Sequence, residues 1–232
     1  MKTSQFLSLS VFVVLVLFSS SCKNFADLMP ETAAPKRIGN SQAELIRAFS
    51  GLTEEENGSA CSLIFDKNEI TETLCRLVKQ ARRGSEILFV VDKTGSMADD
   101  IDFVKSNINQ IIDCLPKGCR LGGVAYGDRN ADGPNWYQSY PLTEDYEAIR
   151  GFINAIRVTG GGDWPESVYD ALWKALDEMK WKDCSAPDIV IVMGDAPPLT
   201  GRLTQYTEKD VLDKAKSICK DTKFYPVIVL QL

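Results

Sequence analysis

Short continuous apolar runs alternate along this chain with segments whose apolar residues recur every three or four positions. The runs at 87–91, 120–126, 136–142, 188–193 and 225–230 predict strands, and the unbroken apolar stretch at 87–91 is what a strand buried on both faces requires. The periodic segments predict helices over 101–115, 144–157, 166–180 and 208–219, with faces such as Ile101, Val104, Ile108 and Ile111, or Leu172, Ala175, Leu176 and Met179. Strand and helix in regular alternation define an α/β fold. The expectation is a doubly wound, mostly parallel sheet flanked by helices over residues 85–232.

Upstream, Ser41-Gln-Ala-Glu44 has capping-box spacing and is followed by Leu45, Ile46, Phe49 and Leu52 at helical intervals. A second helix is expected over 69–82, with Ile70, Leu74, Leu77, Val78 and Ala81 on one face. Residues 41–84 therefore predict a helical N-terminal extension packed on the main domain. Residues 22–40, with two prolines and scattered charge, predict a tether.

Residues 1–21 have the layout of a secretory signal peptide, with Lys2, an apolar stretch over 6–18, and Ser19-Ser20-Ser21. Cys22 directly after those small residues resembles a bacterial lipoprotein signal, which implies lipidation of Cys22 and export to the cell envelope, on the periplasmic face or the cell surface. The lipid would then be the protein's contact with membrane. Six further cysteines remain, Cys61, Cys75, Cys114, Cys119, Cys184 and Cys219, and an even number in an exported chain predicts disulfides. Pairing of sequence neighbours is expected: Cys61–Cys75, Cys114–Cys119 and Cys184–Cys219.

The formal charge of −6 comes without a basic cluster beyond Arg82-Arg83, which argues against nucleic acid as a partner. Histidine is absent, excluding Ser-His-Asp and Cys-His catalysis and removing the commonest zinc ligand.

Ligands of α/β sheets gather at the carboxyl ends of the strands. Asp92 follows the first strand there, Asp128 follows "RLGGVAY", and Asp195 follows "IVIVMG", while Asp163 ends the loop "TGGGD". Carboxylates converging on one edge repel one another, and a divalent cation would relieve that repulsion. Oxygen ligands from Asp, Thr and Ser suit a hard ion, Mg²⁺ first, with Ca²⁺ or Mn²⁺ as alternatives. The same residues have ordinary uses: Thr94 or Ser96 could simply cap the next helix, with Asp99 and Asp100 at its positive end.

Two families share the Asp92-Lys-Thr94-Gly stretch. It resembles the phosphorylation loop of haloacid-dehalogenase phosphotransferases, in which Asp92 would be the nucleophile. However, Ala196-Pro197-Pro198-Leu199 after Asp195 lacks the second acid of that family. Asp92-Lys-Thr94-Gly-Ser96, then Gly160-Gly161-Gly162-Asp163, then an apolar run ending at Asp195, together resemble a von Willebrand factor A domain with its metal-ion-dependent adhesion site. That resemblance implies metal contacts from Thr94 and Ser96, direct or water-mediated contacts from Asp92 and Asp195, and a ligand role for Asp163, where many members have threonine. Asp128 would lie behind the metal ligands, and Trp164 would frame a rim. The function implied is a non-enzymatic adhesion module whose metal takes an acidic side chain of a protein partner. An envelope assembly protein without functional metal is the remaining alternative. The family's fold continues with a further strand and a C-terminal helix, which are not legible after "VIVLQL"; the N-terminal helices or a partner would cover that sheet edge, or the sequence is truncated.

Overall fold

A computed structural model describes residues 40–53, 61–161, 165–182 and 184–230. Six strands form one sheet: β1 (Ser62–Ile64), β2 (Glu86–Asp92), β3 (Arg120–Tyr126), β4 (Tyr137–Thr143), β5 (Ile189–Gly194) and β6 (Lys223–Val229). Their order is β1-β6-β5-β2-β3-β4. All neighbours are parallel except the β3–β4 pair, which is antiparallel. The helices are α1 (Asn40–Ser50), α2 (Glu69–Val78), α3 (Ala98–Asp113), α4 (Tyr146–Ala155), α5 (Val168–Glu178) and α6 (Glu208–Ile218). The mostly parallel sheet flanked by helices is the architecture that the apolar pattern predicts.

Alternate residues of each central strand feed different cores. Ile87, Phe89 and Val91 pack with Ile189 and Ile191 under α2, α3 and α4. Leu88, Val90, Val190 and Val192 point the other way, against Leu45 and Phe49 of α1, Leu172 and Leu176 of α5, and Val211 of α6. Period-two geometry with both faces covered thus turns an alternating strand into a continuous apolar run. The edge strand β4 is mostly exposed and carries the mixed sequence "YQSYPLT".

One strand lies where the sequence predicts only helices. β1 pairs parallel with β6 over Ser62↔Val227 to Ile64↔Val229 and closes the edge expected to be open. α2 follows it and packs on α3. Three residues give too little periodicity to reveal a strand; β1 exists because β6 offers it a ladder.

The cysteines also depart from expectation. Cys184–Cys219 forms as predicted, but Cys75 pairs with Cys114, and Cys61 and Cys119 lie outside both disulfides. The pairs Cys61–Cys75 and Cys114–Cys119 are therefore wrong, as is full oxidation of all six. Cys75 on α2 faces the end of α3, which brings the Cα atoms of Cys75 and Cys114 to 5.3 Å. Cys61 belongs to the opposite core layer, and Cys119 is buried with its thiol donating to the Arg82 carbonyl at 3.1 Å.

At the amino end of the sheet, buried Glu86 is ion-paired with Arg120 and accepts the Lys182 amide at 2.6 Å. Asp188 lies beside it, its Oδ1 accepting the Glu86 amide at 3.3 Å. Burial pushes the Asp188 carboxyl up to about 7, against that amide bond, and the Glu86 charge adds to the rise. An unfolded Asp titrates near ~3.9, so between about pH 4 and 7 the folded chain holds the extra proton and loses stability as pH rises. Asp188→Asn removes this loss. Urea unfolding should find the variant about 1–3 kcal/mol more stable than wild type at pH 8, with the gap closing towards pH 4. A gap independent of pH would contradict this assignment.

Candidate functional site

Asp92 is the last residue of β2 and is fully buried. Its Oδ1 accepts the Thr94 amide at 2.9 Å, while Oδ2 has no hydrogen-bond partner among the described residues. Burial pushes its pKa up to about 7; the Thr94 amide opposes the rise and the Asp195 carboxylate adds to it. Asp195 follows β5 and is also shifted upward by burial, against a hydrogen bond from Ser96. The two carboxylates and the Ser96 hydroxyl thus meet at one point of the sheet edge.

The loop after Asp92 bends through a 3-10 turn, Gly95–Met97, into α3. Thr94 precedes that turn, but its side chain makes no capping hydrogen bond. Instead Thr94 Oγ1 lies 3.4 Å from Ser96 Oγ. Thr94 is buried and Ser96 is exposed, so the hydroxyl pair runs from the interior to the surface.

The glycine loop is laid against this turn by three hydrogen bonds. The Thr159 amide donates to the Lys93 carbonyl at 3.0 Å, and the Gly95 amide donates to the Gly160 carbonyl at 3.3 Å. Lys93 Nζ, itself buried, donates to Thr159 Oγ1 at 3.1 Å. Gly161 has φ +75°, and a Cβ there would lie 2.8 Å from Thr94 Cβ, so both backbone conformation and space demand glycine. Asp163 and Trp164, expected as ligand and rim, lie outside the described residues. So does Cys22.

Asp128, after β3, has a loop-building role. Its Oδ1 accepts the Asn130 amide at 2.6 Å and the Ser167 hydroxyl at 3.2 Å, tying this loop to the start of α5. Neighbouring Arg129 is ion-paired at 2.7 Å with buried Asp170. Trp136 tilts against Tyr137, Trp173 stacks on Tyr206 at 4.0 Å, and Trp181 donates to the Leu176 carbonyl at 3.0 Å.

Four contributors went unread in the sequence. Lys93 holds the glycine loop. Tyr126 is wholly buried at the end of β3; burial, then the charges of Asp92, Glu166 and Asp195, drive its hydroxyl well above its usual range. Glu166 is buried, and its backbone pairs with the loop after Asp195: its amide donates to the Pro197 carbonyl at 3.0 Å and its carbonyl accepts the Leu199 amide at 2.8 Å. Asp100, read only as a helix-end charge, is buried and raised by burial and by Asp195. The position of Tyr126 one residue before the Gly127-Asp128 turn was the one available signal.

Among the described residues, no group of three Asp, Glu or Cys side chains has metal-binding geometry. The donor set at this edge is two carboxylates and two hydroxyls. Among the described residues, no helix is long and apolar enough to cross a membrane.

A mostly parallel sheet whose central strand ends in a carboxylate, a hydroxyl pair and an abutting glycine loop defines a doubly wound α/β domain. The chain belongs to the von Willebrand factor A domain family, whose model matches residues 86–219. It is similar to the alpha-protein kinase vwkA of Dictyostelium discoideum, 31% identical over 130 residues, which are 53% of this chain and 20% of that protein. This chain therefore matches about a fifth of that relative's length. Among solved structures it is similar to the pilus adhesin SpaC from Lactobacillus rhamnosus GG in its open conformation, at 19% identity and TM-score 0.41, over 50% of this chain and 15% of that one. It is also similar to proximal thread matrix protein 1 from the mussel byssus, at 15% identity and TM-score 0.49, over 65% and 40% of the respective chains. Family membership points to a protein-interaction module.

Proposed function

We propose that the protein is a non-enzymatic binding module in which a divalent cation, held by Asp92, Thr94, Ser96 and Asp195, receives an acidic side chain of a protein partner. The observation that carries this reading is Asp92 Oδ2, buried and without a hydrogen-bond partner among the described residues. A buried carboxylate oxygen without a donor costs several kcal/mol unless a cation or proton satisfies it (on the order of 1–3 or more). All the nearby donors are hard oxygens, which fit Mg²⁺ or Ca²⁺ better than a soft metal. The bound ion would supply a Lewis-acidic point for a partner's carboxylate; the chain's own part is to orient the hydroxyls and keep the carboxylates clustered.

The phosphotransferase alternative fits less well. Asp92 Oδ1 is engaged by the Thr94 amide, and Asp195 is followed by Ala196-Pro197-Pro198-Leu199, without the second acid that such a phosphotransferase carries. The test is direct. Protein incubated with p-nitrophenyl phosphate and Mg²⁺ should show no turnover, and envelope proteins retained on it with Mg²⁺ should elute with EDTA and be lost with Asp92→Asn. Turnover abolished by Asp92→Asn would establish the enzymatic reading in its place.

Cys22 as a lipid anchor in the cell envelope completes the proposal, on the strength of the small residues before it and the apolar stretch over 6–18. Cys22→Ser should move the protein from the membrane fraction to the soluble exported fraction. Unchanged fractionation would remove the anchor from the proposal.

A further inference from the structure

The fold gathers basic residues that the sequence scatters. Strands β2, β3, β5 and β6 are mutually parallel, so the loops that enter them share the amino edge of the sheet, opposite the edge that carries Asp92 and Asp195. Those loops expose Lys79, Arg82 and Arg83 before β2, Lys117 before β3, Lys180 and Lys182 before β5, and Lys220 before β6. Direct contacts join them into one face. The Arg83 side chain lies against Gly118, and the Gly84 amide donates to the Gly118 carbonyl at 3.1 Å. The Arg120 guanidinium donates to the Lys180 carbonyl at 3.1 Å, and the Cys184–Cys219 bridge fastens the loop before β5 to the end of α6. Exposed acids beside this face are fewer: Asp113, Asp221, Glu144 and Asp145, with Glu144 3.6 Å from Lys182. The other six cations are in no ion pair among the described residues. A net positive edge on a chain of formal charge −6 leaves the rest of the molecule strongly acidic.

The chain segment that leads to Cys22 leaves from the same edge. α1 ends beside the starts of α5 and α6: the Tyr169 hydroxyl donates to the Ala48 carbonyl at 3.3 Å, and the Glu208 carboxylate lies against Gly51. α5 and α6 both start at the carboxyl edge, so α1 runs towards that edge and begins, at Asn40, towards the amino one. Taking Cys22 as the anchor from the reading above, we propose that the amino edge is a second membrane contact, its lysines and arginines lying on anionic lipid headgroups. An acyl anchor fixes where the chain is held but not which way the domain faces. A group of four to eight basic side chains supplies that orientation, because an anionic leaflet attracts them within a Debye length, about 8–10 Å. The same headgroups repel the acidic remainder of the surface, so attraction and repulsion favour one orientation. The carboxyl edge, with Asp92, Ser96 and Asp195, is thereby turned away from the bilayer and towards a partner.

The experiment measures partition of the full chain carrying Cys22→Ser, which removes the lipid, into vesicles of phosphatidylcholine with or without phosphatidylglycerol. Any contribution of the apolar stretch over 6–18 is common to both vesicles and to every variant. This parent should partition about tenfold more strongly into the anionic vesicles, and high salt should abolish the difference. Arg82→Glu/Arg83→Glu/Lys117→Glu should lose the preference. Lys67→Glu/Arg202→Glu/Lys209→Glu, the same change of charge at the carboxyl edge, should keep most of it. All six side chains are exposed, and unchanged melting verifies each fold. Lys180→Glu/Lys220→Glu, elsewhere on the amino edge, repeats the test if the first variant melts early. Equal partition of the parent into both vesicles, a preference that survives the amino-edge changes, or an equal loss in both triple variants would overturn the membrane face. Binding to a DNA duplex in preference to anionic vesicles would assign the edge to another polyanion and overturn it likewise. A preference present in the parent while Cys22→Ser leaves cell fractionation unchanged would support the face and remove the lipid anchor, so the two readings fail separately.

Discussion

Mg²⁺ at about 100 times its Kd is expected to raise the melting temperature of the wild-type protein by about 5–10 °C, and Asp92→Asn is expected to abolish that rise. The size follows from linkage: a ligand bound only by the folded state stabilises it by about 2.7 kcal/mol at that excess, and a domain of this size shifts by about 2–4 °C per kcal/mol. The sign without metal is the sharper part. Metal-free wild type keeps Asp92 buried beside Asp195 with one oxygen unmatched. Asn at this position retains an oxygen for the Thr94 amide and carries no charge. In EDTA the variant should therefore melt at or above wild type, whereas in Mg²⁺ it should melt below. Scanning calorimetry in the two buffers distinguishes three cases. Crossing curves support a cation site. Curves insensitive to Mg²⁺ in both proteins indicate an assembly protein without functional metal. A variant that is equally destabilised in both buffers indicates that Asp92 serves only to shape the loop.

Removing the Cys75–Cys114 bridge should produce an effect of similar size by a different route. The bridge closes a loop of 39 residues, and the chain-entropy relation for such a loop gives about 4 kcal/mol. Cys75→Ser/Cys114→Ser should therefore lower the melting temperature by about 8–15 °C. Alkylation of the denatured, unreduced protein should label Cys61 and Cys119 and leave Cys75, Cys114, Cys184 and Cys219 unmodified. Native alkylation should label neither thiol, since both are buried. Labelling of Cys75 or Cys114, or a loss in melting temperature below about 2 °C, would contradict this pairing.

The disulfides illustrate where sequence ceases to inform. Cys114 and Cys119 flank a Pro-Gly turn and are close along the chain, but α3 ends with Cys114 directed at α2 while Cys119 enters the buried start of β3. Pairing depends on which helix lies beside which, and helix neighbours are a property of the sheet order. Cys184–Cys219 was legible because its two residues flank β5 and α6, consecutive elements whose ends must return to the same end of the sheet.

The site divides in the same way. Asp92, Thr94, Ser96 and Asp195 were readable because each stands at a fixed offset from an apolar run, and a parallel sheet places all its strand ends on one edge. Lys93 was not readable, because a lysine next to a strand ordinarily lies in solvent, whereas here its ammonium donates to the Thr159 hydroxyl and lies near enough to the Asp92 carboxylate for the two charges to attract. Asp128 shows the converse. It was legible as an edge carboxylate, but the tertiary structure commits its Oδ1 to the Asn130 amide and the Ser167 hydroxyl, making it a loop anchor.

What the sequence determined by itself was local: strand and helix periods, the carboxyl-edge residues, and the absence of histidine chemistry, all of which follow from spacing and side-chain type. What the tertiary structure alone decided was non-local: that the three residues of β1 pair beyond β6, that α2 is bridged to α3, and that Lys93 reaches Thr159 on the glycine loop. A three-residue strand has no period to detect, and its ladder partner lies about 165 positions away, at a separation where only loop closure and packing against the finished sheet select the pairing.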